Sequence, residues 1–281
     1  MPELPEIEVI RRDLEKEVVG RRIKDVDVRP GTNAMKIIKR HGRRKEFQDL
    51  LVGGKVEAID RAGKLILITL DNDHVLTVDL GESGQLLKTS ASDDLAVHTH
   101  IVVSFTIGGQ LRFGDPKKTA EVFIAPAAEI DEVRRSLGYS IDPFEHPVAW
   151  QSFSGMLEDQ ETPMKKLLLD EKFIVGLGDI YSDEILFGSG IKYDRPSNKL
   201  SSQDVRRLYR SLMEILQDAL KARGTSYGDA AFTDLQGIPG LYQLELKVFE
   251  REGEPCRRCR STIERGSSGG VTSYFCPQCQ S

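Results

Sequence analysis

Two groups of residues in this chain have types and spacings that could do chemistry, and they lie at its two ends. The first is Met1-Pro2-Glu3-Leu4-Pro5-Glu6. In bacteria an initiator methionine followed by a residue as small as proline is usually clipped, which would leave Pro2 with a free secondary amine. A terminal amine titrates near about 7.7–8.0, so an appreciable fraction is unprotonated and nucleophilic at neutral pH. Such an amine can attack a sugar or carbonyl carbon and form a covalent iminium, splitting one hard step into two easier ones. Glu3, its neighbour, is placed to shuttle protons. The same residues also suit a plain helix start, where proline fits the first turn and glutamate complements the dipole.

The second group is Cys256-x2-Cys259 and Cys276-x2-Cys279, with sixteen residues between the pairs and all four cysteines within the last 26 residues. Two such knuckles at this separation match a tetrahedral four-thiolate zinc site, one ion per chain. Two disulfides or a redox pair are the rival readings. Both fit less well in a chain of cytosolic character, and Tyr274-Phe275-Cys276-Pro277-Gln278-Cys279 reads as a strand running into a turn. A zinc ribbon can be structural alone, so the metal by itself names no function.

With 281 residues, 39% of them hydrophobic and 30% charged, the chain has the composition of a soluble globular protein with room for two cores and an appendage. No run of about 18 apolar residues exists and no apolar leader follows the charged N-terminus, which implies a bacterial cytoplasmic protein with no membrane partner. The net charge of −5 argues against strong indiscriminate affinity for nucleic acid, while leaving room for a local basic groove.

The elements that must position these groups follow from periodicity. Ile7, Ile10, Leu14 and Val18 make an amphipathic first helix ending near Gly20, with Pro2 and Glu3 at its start. The basic stretch 36–45 (KIIKRHGRRK) is either a solvated surface or a phosphate contact. From Lys55 to Pro126 the chain reads as successive strands: KVEAIDRA and KLILITL around Gly63, HVLTVDL, HIVVSFTI and QLRFGD around Gly108-Gly109, and TAEVFIAP. Short turns between them predict an antiparallel sandwich or barrel. A polar stretch with Pro143 and Pro147 predicts a linker over 131–147. Helical patterns follow at 148–158, 163–170 and 201–222, with a glycine turn, Gly176-Leu177-Gly178-Asp179-Ile180-Tyr181, opening onto another helix. A glycine turn at a helix start offers backbone N–H groups to phosphate, or simply lets helices pack. Residues 224–255 read as partly irregular.

The N-terminal PELPE, the Gly63-Lys64 turn, the GLGDIY turn and the terminal CxxC pairs occur here in one order. On these motifs, which span nearly the whole chain, it resembles the family of formamidopyrimidine-DNA glycosylases and endonuclease VIII. The resemblance implies an α+β multidomain fold: an N-terminal antiparallel β-sandwich with a flanking N-terminal helix over 1–130, a linker over 131–147, a helix–two-turn–helix domain over 148–244 and a zinc ribbon over 245–281. It implies a monomeric DNA-repair enzyme, a bifunctional glycosylase/AP lyase. Pro2 matches the Schiff-base nucleophile, Glu3 the acid/base at the sugar ring oxygen, Glu6 a second carboxylate near the site and Lys64 a proton-transfer lysine. The target nucleotide would be flipped out of the stack.

The family's DNA-contacting positions are matched by His98, Lys165, Gly178 and Tyr181 but altered elsewhere. The usual void-filling methionine is Glu82, the arginine that reads the opposite base is Lys117, the aromatic wedge is Thr119 and the phosphate-binding asparagine is Asp179. A phosphate-binding lysine aligns near Glu161 and the ribbon arginine near Val271. An acid repels phosphate, and lysine cannot reproduce arginine's bidentate fork. The pattern implies a damaged-DNA substrate range that differs from the standard enzyme, including single-stranded or mismatched sites. Two other readings stay open: a non-catalytic paralogue binding nucleic acid or protein, and proline chemistry on a non-DNA sugar or aldehyde.

Overall fold

The apolar stripe Ile7, Ile10, Leu14 and Val18 folds into helix α1 (Leu4–Val18), and all four side chains are buried. The computed structural model describes every residue except Gly31, Thr32, Pro147, Asp159, Asp229 and Ala230. Contacts divide the chain into two units, Met1–Leu137 with Ala222–Leu241, and Gly138–Lys221 with Tyr242–Ser281.

The first unit is built on eight strands, β1 (Ile23–Val28), β2 (Val56–Ala62), β3 (Leu65–Leu70), β4 (His74–Asp79), β5 (Gln85–Thr89), β6 (Thr99–Phe105), β7 (Gln110–Gly114) and β8 (Glu121–Pro126). They form two antiparallel four-stranded sheets, ordered β1-β6-β7-β5 and β2-β3-β4-β8. Ile68, Leu76, Val78 and Val122 of one sheet and Leu86, Ile101, Val103 and Phe113 of the other line a shared interior with only about 20 Å³ left unfilled. That is the expected sandwich, packed to native density. β1 and β5 are additional to the expected strands: IKDVDV is half charged and QLLKT is short, and both form the edges of their sheet, paired with β6 and β7.

Helix α2 (Arg44–Leu51) packs against β1 and β8 with Phe47 buried. Two groups of the basic stretch 36–45 take part in this packing. Arg40 lies over the Phe123 ring at 3.6 Å and pairs with Glu121 at 3.0 Å, and His41 is buried, accepting the Ile124 N–H at 3.1 Å. These groups fasten α2 to β8. Helix α3 (Ala127–Leu137) occupies the start of the expected linker. Ile130 alone of its residues is buried, packing with Ala62, Leu67, Val75 and Phe123, so the rest of the helix is polar enough to read as linker. Pro147 lies outside the described residues.

The second unit holds α4 (Trp150–Glu158), α5 (Met164–Leu168), α6 (Asp179–Ser189) and α7 (Ser202–Lys221), close to the helical patterns read from sequence. α6 and α7 run against one another where Gly188 faces Ser211; a Cβ there would collide with the serine hydroxyl, which instead donates to the Ile185 carbonyl at 2.9 Å. A hairpin of β9 (Glu264–Ser268) and β10 (Val271–Phe275) turns on Gly269-Gly270, whose φ values of 59° and 83° favour glycine. Phe187, Val248, Cys256, Ile263 and Cys276 form its core. Residues 222–241, which the sequence reading placed in the helical domain, make their contacts with the first unit. The Lys88 N–H donates to Leu235 at 2.7 Å, and the Arg223 guanidinium donates to Asp13 and to Asp234.

Candidate active site and metal centre

At the chain start the backbone enters α1 through Glu3, which has extended geometry (φ −97°, ψ −175°) and caps the helix. Pro2, Glu3 and Glu6 are all buried. One Glu6 oxygen accepts the Glu3 N–H at 2.8 Å and the other accepts the Thr225 N–H at 2.7 Å. Glu6 thus stands beside the N-terminus, as expected, but both its oxygens hold backbone. The positive φ of Gly224 (85°) brings the loop onto this carboxylate so closely that a Cβ would sit 2.8 Å from Glu6 Oε1. Nothing in the sequence near Glu6 signals a partner more than two hundred residues away.

Lys64 lies on the two-residue turn between β2 and β3, where Ala62 pairs with Leu65 and Gly63 takes φ 57°. The turn is anchored by Arg61, whose Nη1 donates to the Gly63 carbonyl at 2.8 Å and whose Nε donates to Glu8 Oε2 at 3.2 Å. Glu8 is buried on α1 and also pairs with Arg11 at 3.2 Å and Arg12 at 2.7 Å. Burial pushes the Glu8 carboxyl up, but hydrogen bonds from Arg11 and Arg12 and the charges of Arg11 and Arg61 outweigh it and hold the group below its usual range. Sequence reading passed over both Arg61 and Glu8.

Glu82, Lys117 and Thr119 come together on two loops that lock into each other. Asp115, fully buried, takes the Ser83 hydroxyl on one oxygen and the Ala120 N–H on the other at 2.9 Å. The Glu82 N–H donates to Thr119 Oγ1 at 2.9 Å, and a Cβ on Gly81 would meet the Thr119 backbone at 2.7 Å. On this platform Lys117 Nζ and Glu82 Oε2 pair at 3.1 Å, each side chain over half exposed. The added charge of Glu82 is therefore met by Lys117 in an exposed ion pair. His98 is exposed beside them; its carbonyl accepts the Asp115 N–H at 3.1 Å.

In the second unit two residues matched to DNA contacts have buried side chains. Lys165 is 1% exposed, and its ammonium donates to the Asp179 carbonyl at 3.0 Å, Ser182 Oγ at 2.8 Å and Asp183 Oδ1 at 2.8 Å. An ammonium has three N–H groups, so none is left for phosphate. Tyr181 is fully buried, its ring 5.6 Å from that of Tyr242. Both side chains build the interior around α6. The N-cap Gly178 and the exposed Asp179 and Glu161 remain at the surface. Asp183 and Glu184, unremarked in the sequence, tie α6 to the ribbon. Asp183 accepts the Ser273 hydroxyl and the Tyr274 N–H, and Glu184 accepts the N–H groups of Lys247, Val248 and Phe249. Burial pushes both carboxyls above their usual range, against the pull of these donors.

The four cysteine sulfurs lie within 4.8 Å of one another, with Cys256–Cys279 at 4.0 Å and Cys259–Cys276 at 3.4 Å. A tetrahedral site with Zn–S bonds of about 2.3 Å requires sulfurs about 3.8 Å apart. A disulfide needs them at about 2.05 Å, so neither disulfide reading fits. The donor set suits zinc. Val271, aligned with the ribbon arginine, follows the Gly269-Gly270 turn as the first residue of β10 and is half-buried.

Comparison with known proteins covers the chain from end to end. The family model for the formamidopyrimidine-DNA glycosylase N-terminal domain matches residues 1–122, that for the H2TH domain of the same glycosylase matches 139–230, and a zinc finger found in FPG and IleRS matches 253–281. A formamidopyrimidine-DNA glycosylase of Pelotomaculum thermopropionicum is 34% identical over 280 residues, covering 100% of this chain and 99% of that one. That of Shouchella clausii is 36% identical over 282 residues, with 100% and 99% covered. The Lactococcus lactis Fpg in complex with abasic-site DNA superposes with a TM-score of 0.87 at 28% identity, covering 99% of each chain. The MutM (FPG) protein of Thermus thermophilus gives 0.84 at 31% identity, covering 99% of this chain and 98% of that one.

Proposed function

Because the chain belongs to the formamidopyrimidine-DNA glycosylase family, we propose that it excises oxidised bases from DNA and cleaves the strand at the resulting sugar, with Pro2 as the nucleophile. The observation that carries this reading is the Pro2-Glu3 start of α1, buried and braced by Glu6, in a chain similar to these glycosylases over its full length. In the translated chain Met1 acylates the Pro2 nitrogen, and Met1 is 63% exposed, open to an aminopeptidase. Once free and unprotonated, the amine would donate its lone pair to C1′. The glycosidic bond would break toward the base, which leaves with a proton, and Glu3 would protonate the ring oxygen as the sugar opens. Loss of the C2′ proton from the iminium then expels the 3′ phosphate, and water releases the sugar fragment from Pro2. Lys64 serves as a proton-transfer group and Glu6 as a brace. Zinc held by Cys256, Cys259, Cys276 and Cys279 would fix the ribbon and take no part in the chemistry.

The paired Glu82 and Lys117, with Thr119, support a shifted preference. Flipping a base costs a few kcal/mol and less from a single strand, and an exposed ion pair resists burial in the vacated space. Losing about 2–3 kcal/mol of that support lowers the duplex rate roughly 30- to 150-fold, at about tenfold per 1.4 kcal/mol. Single-stranded or mismatched lesions are therefore processed faster than paired ones, with weak dependence on the opposite base.

Two assays test the two parts. Borohydride trapping on an abasic-site oligonucleotide should cross-link the processed protein through Pro2 and fail when Met1 is retained. Undiminished trapping by protein shown by mass spectrometry to keep Met1 rejects the nucleophile, and no trapping by processed protein favours a binding paralogue. Single-turnover excision of one lesion in both strand contexts, at equal salt, tests the preference. Faster excision from the paired duplex with strong opposite-base dependence rejects it.

A further inference from the structure

We infer that Arg61 and Glu8 form a positioning device that transmits the orientation of α1, and so of Pro2 and Glu3, to the Lys64 turn. The inference rests on the proposed role of Lys64 in proton transfer. The Arg61 side chain is wholly buried, at 0% exposure, and Glu8 is at 5%. One edge of the guanidinium donates to Glu8 at 3.2 Å and another N–H donates to the Gly63 carbonyl at 2.8 Å. Glu8 lies on α1, whose first residues follow directly from Pro2 and Glu3. Gly63 is bonded to Lys64, and the peptide between them is planar, so fixing the Gly63 carbonyl fixes the plane from which the Lys64 backbone departs. A two-residue turn led by glycine has the freedom to rotate that peptide, and the Arg61 bond removes it.

The choice of residue supports a role beyond filling space. A buried guanidinium must be paired and hydrogen-bonded to be tolerated, whereas methionine or leucine would occupy the same volume without that demand. What arginine alone offers is a rigid planar fork that engages two acceptors at a set angle. Glu8 is in turn held from the other side by Arg11 and Arg12, so the fork is anchored to a carboxylate that cannot swing away.

The test is a double-mutant cycle in the full-length, processed protein. Its probe is single-turnover excision of a formamidopyrimidine lesion from an oligonucleotide duplex. Lys64→Ala should slow excision about 10²-fold, the lower range for a lost proton-transfer group. Arg61→Lys keeps a cation opposite Glu8 but lacks the planar fork that fixes both acceptors at a set angle, and should slow excision at least about tenfold with DNA affinity unchanged. In the Lys64→Ala background Arg61→Lys should slow the reaction by no more than about twofold, because the two act through one group. It should also remove the same limb of the pH–rate profile that Lys64→Ala removes. Multiplicative effects, or an Arg61→Lys protein with the wild-type rate, overturn the inference. A wild-type rate for Lys64→Ala instead rejects the underlying reading of Lys64. If Arg61→Lys lacks the wild-type circular-dichroism spectrum, Glu8→Gln takes its place in the cycle and is judged by the same two outcomes.

Discussion

Replacing Glu6 tests how the N-terminus is held in place. Its carboxylate is 2% exposed and receives two backbone N–H groups, from Glu3 at 2.8 Å and from Thr225 at 2.7 Å. A hydrogen bond to a charged group contributes about 1.5–3 kcal/mol. Both bonds share one carboxylate, and the Thr225 loop can draw back and hydrate, so the lower end applies: Glu6→Ala should cost about 3 kcal/mol. At about 2–4 °C per kcal/mol for a domain of this size, the melting temperature should fall by about 6–12 °C. Glu6→Gln keeps one acceptor oxygen but turns an NH2 toward an N–H, so about half that loss is expected. Thermal unfolding of both variants by circular dichroism measures this, with limited proteolysis between residues 222 and 241 as a second readout. The segment should become cleavable in both variants before the rest of the first unit. Melting temperatures within about 1 °C of wild type for both variants, with unchanged proteolysis, would refute the clamp.

Lys165→Met should destabilise the second unit by about 3–5 kcal/mol by leaving buried Asp183 without its cation, while the salt dependence of DNA binding keeps its slope; a shallower slope would restore Lys165 as a phosphate ligand. His41 accepts the Ile124 N–H, and burial holds its pKa below the ordinary value despite Glu46 nearby. The unfolded chain therefore binds the proton first. The His41 contribution is complete above about pH 6.5 and is lost as pH falls through the lower folded value. Melting temperature measured downward from pH 7.5 should show this loss, and His41→Gln should flatten it. Purified protein should carry one zinc per chain, and chelation should expose residues 253–281 and also α6, through Asp183 and Glu184, to hydrogen exchange; protection of α6 unchanged after zinc removal would break that link.

Local spacing alone determined much of this protein. The stripe of α1, the β-branched strands β2, β3, β4, β6 and β8, the paired cysteines and the Pro2-Glu3 start are all readable from neighbours in the chain, because periodicity and thiol spacing act over a few residues. What tertiary structure decided was the fate of the charged and polar groups. Lys165 and Tyr181 carry polar groups yet turn inward, where Lys165 meets Asp183 and the Tyr181 ring packs near that of Tyr242. Arg61 gives no signal in the sequence, and its role emerges only when Glu8, 53 residues away, is packed against it. Glu6 becomes a brace only when Thr225 arrives from 219 residues along the chain. Burying a charge is unfavourable unless a partner meets it, and the fold alone sets which distant groups meet.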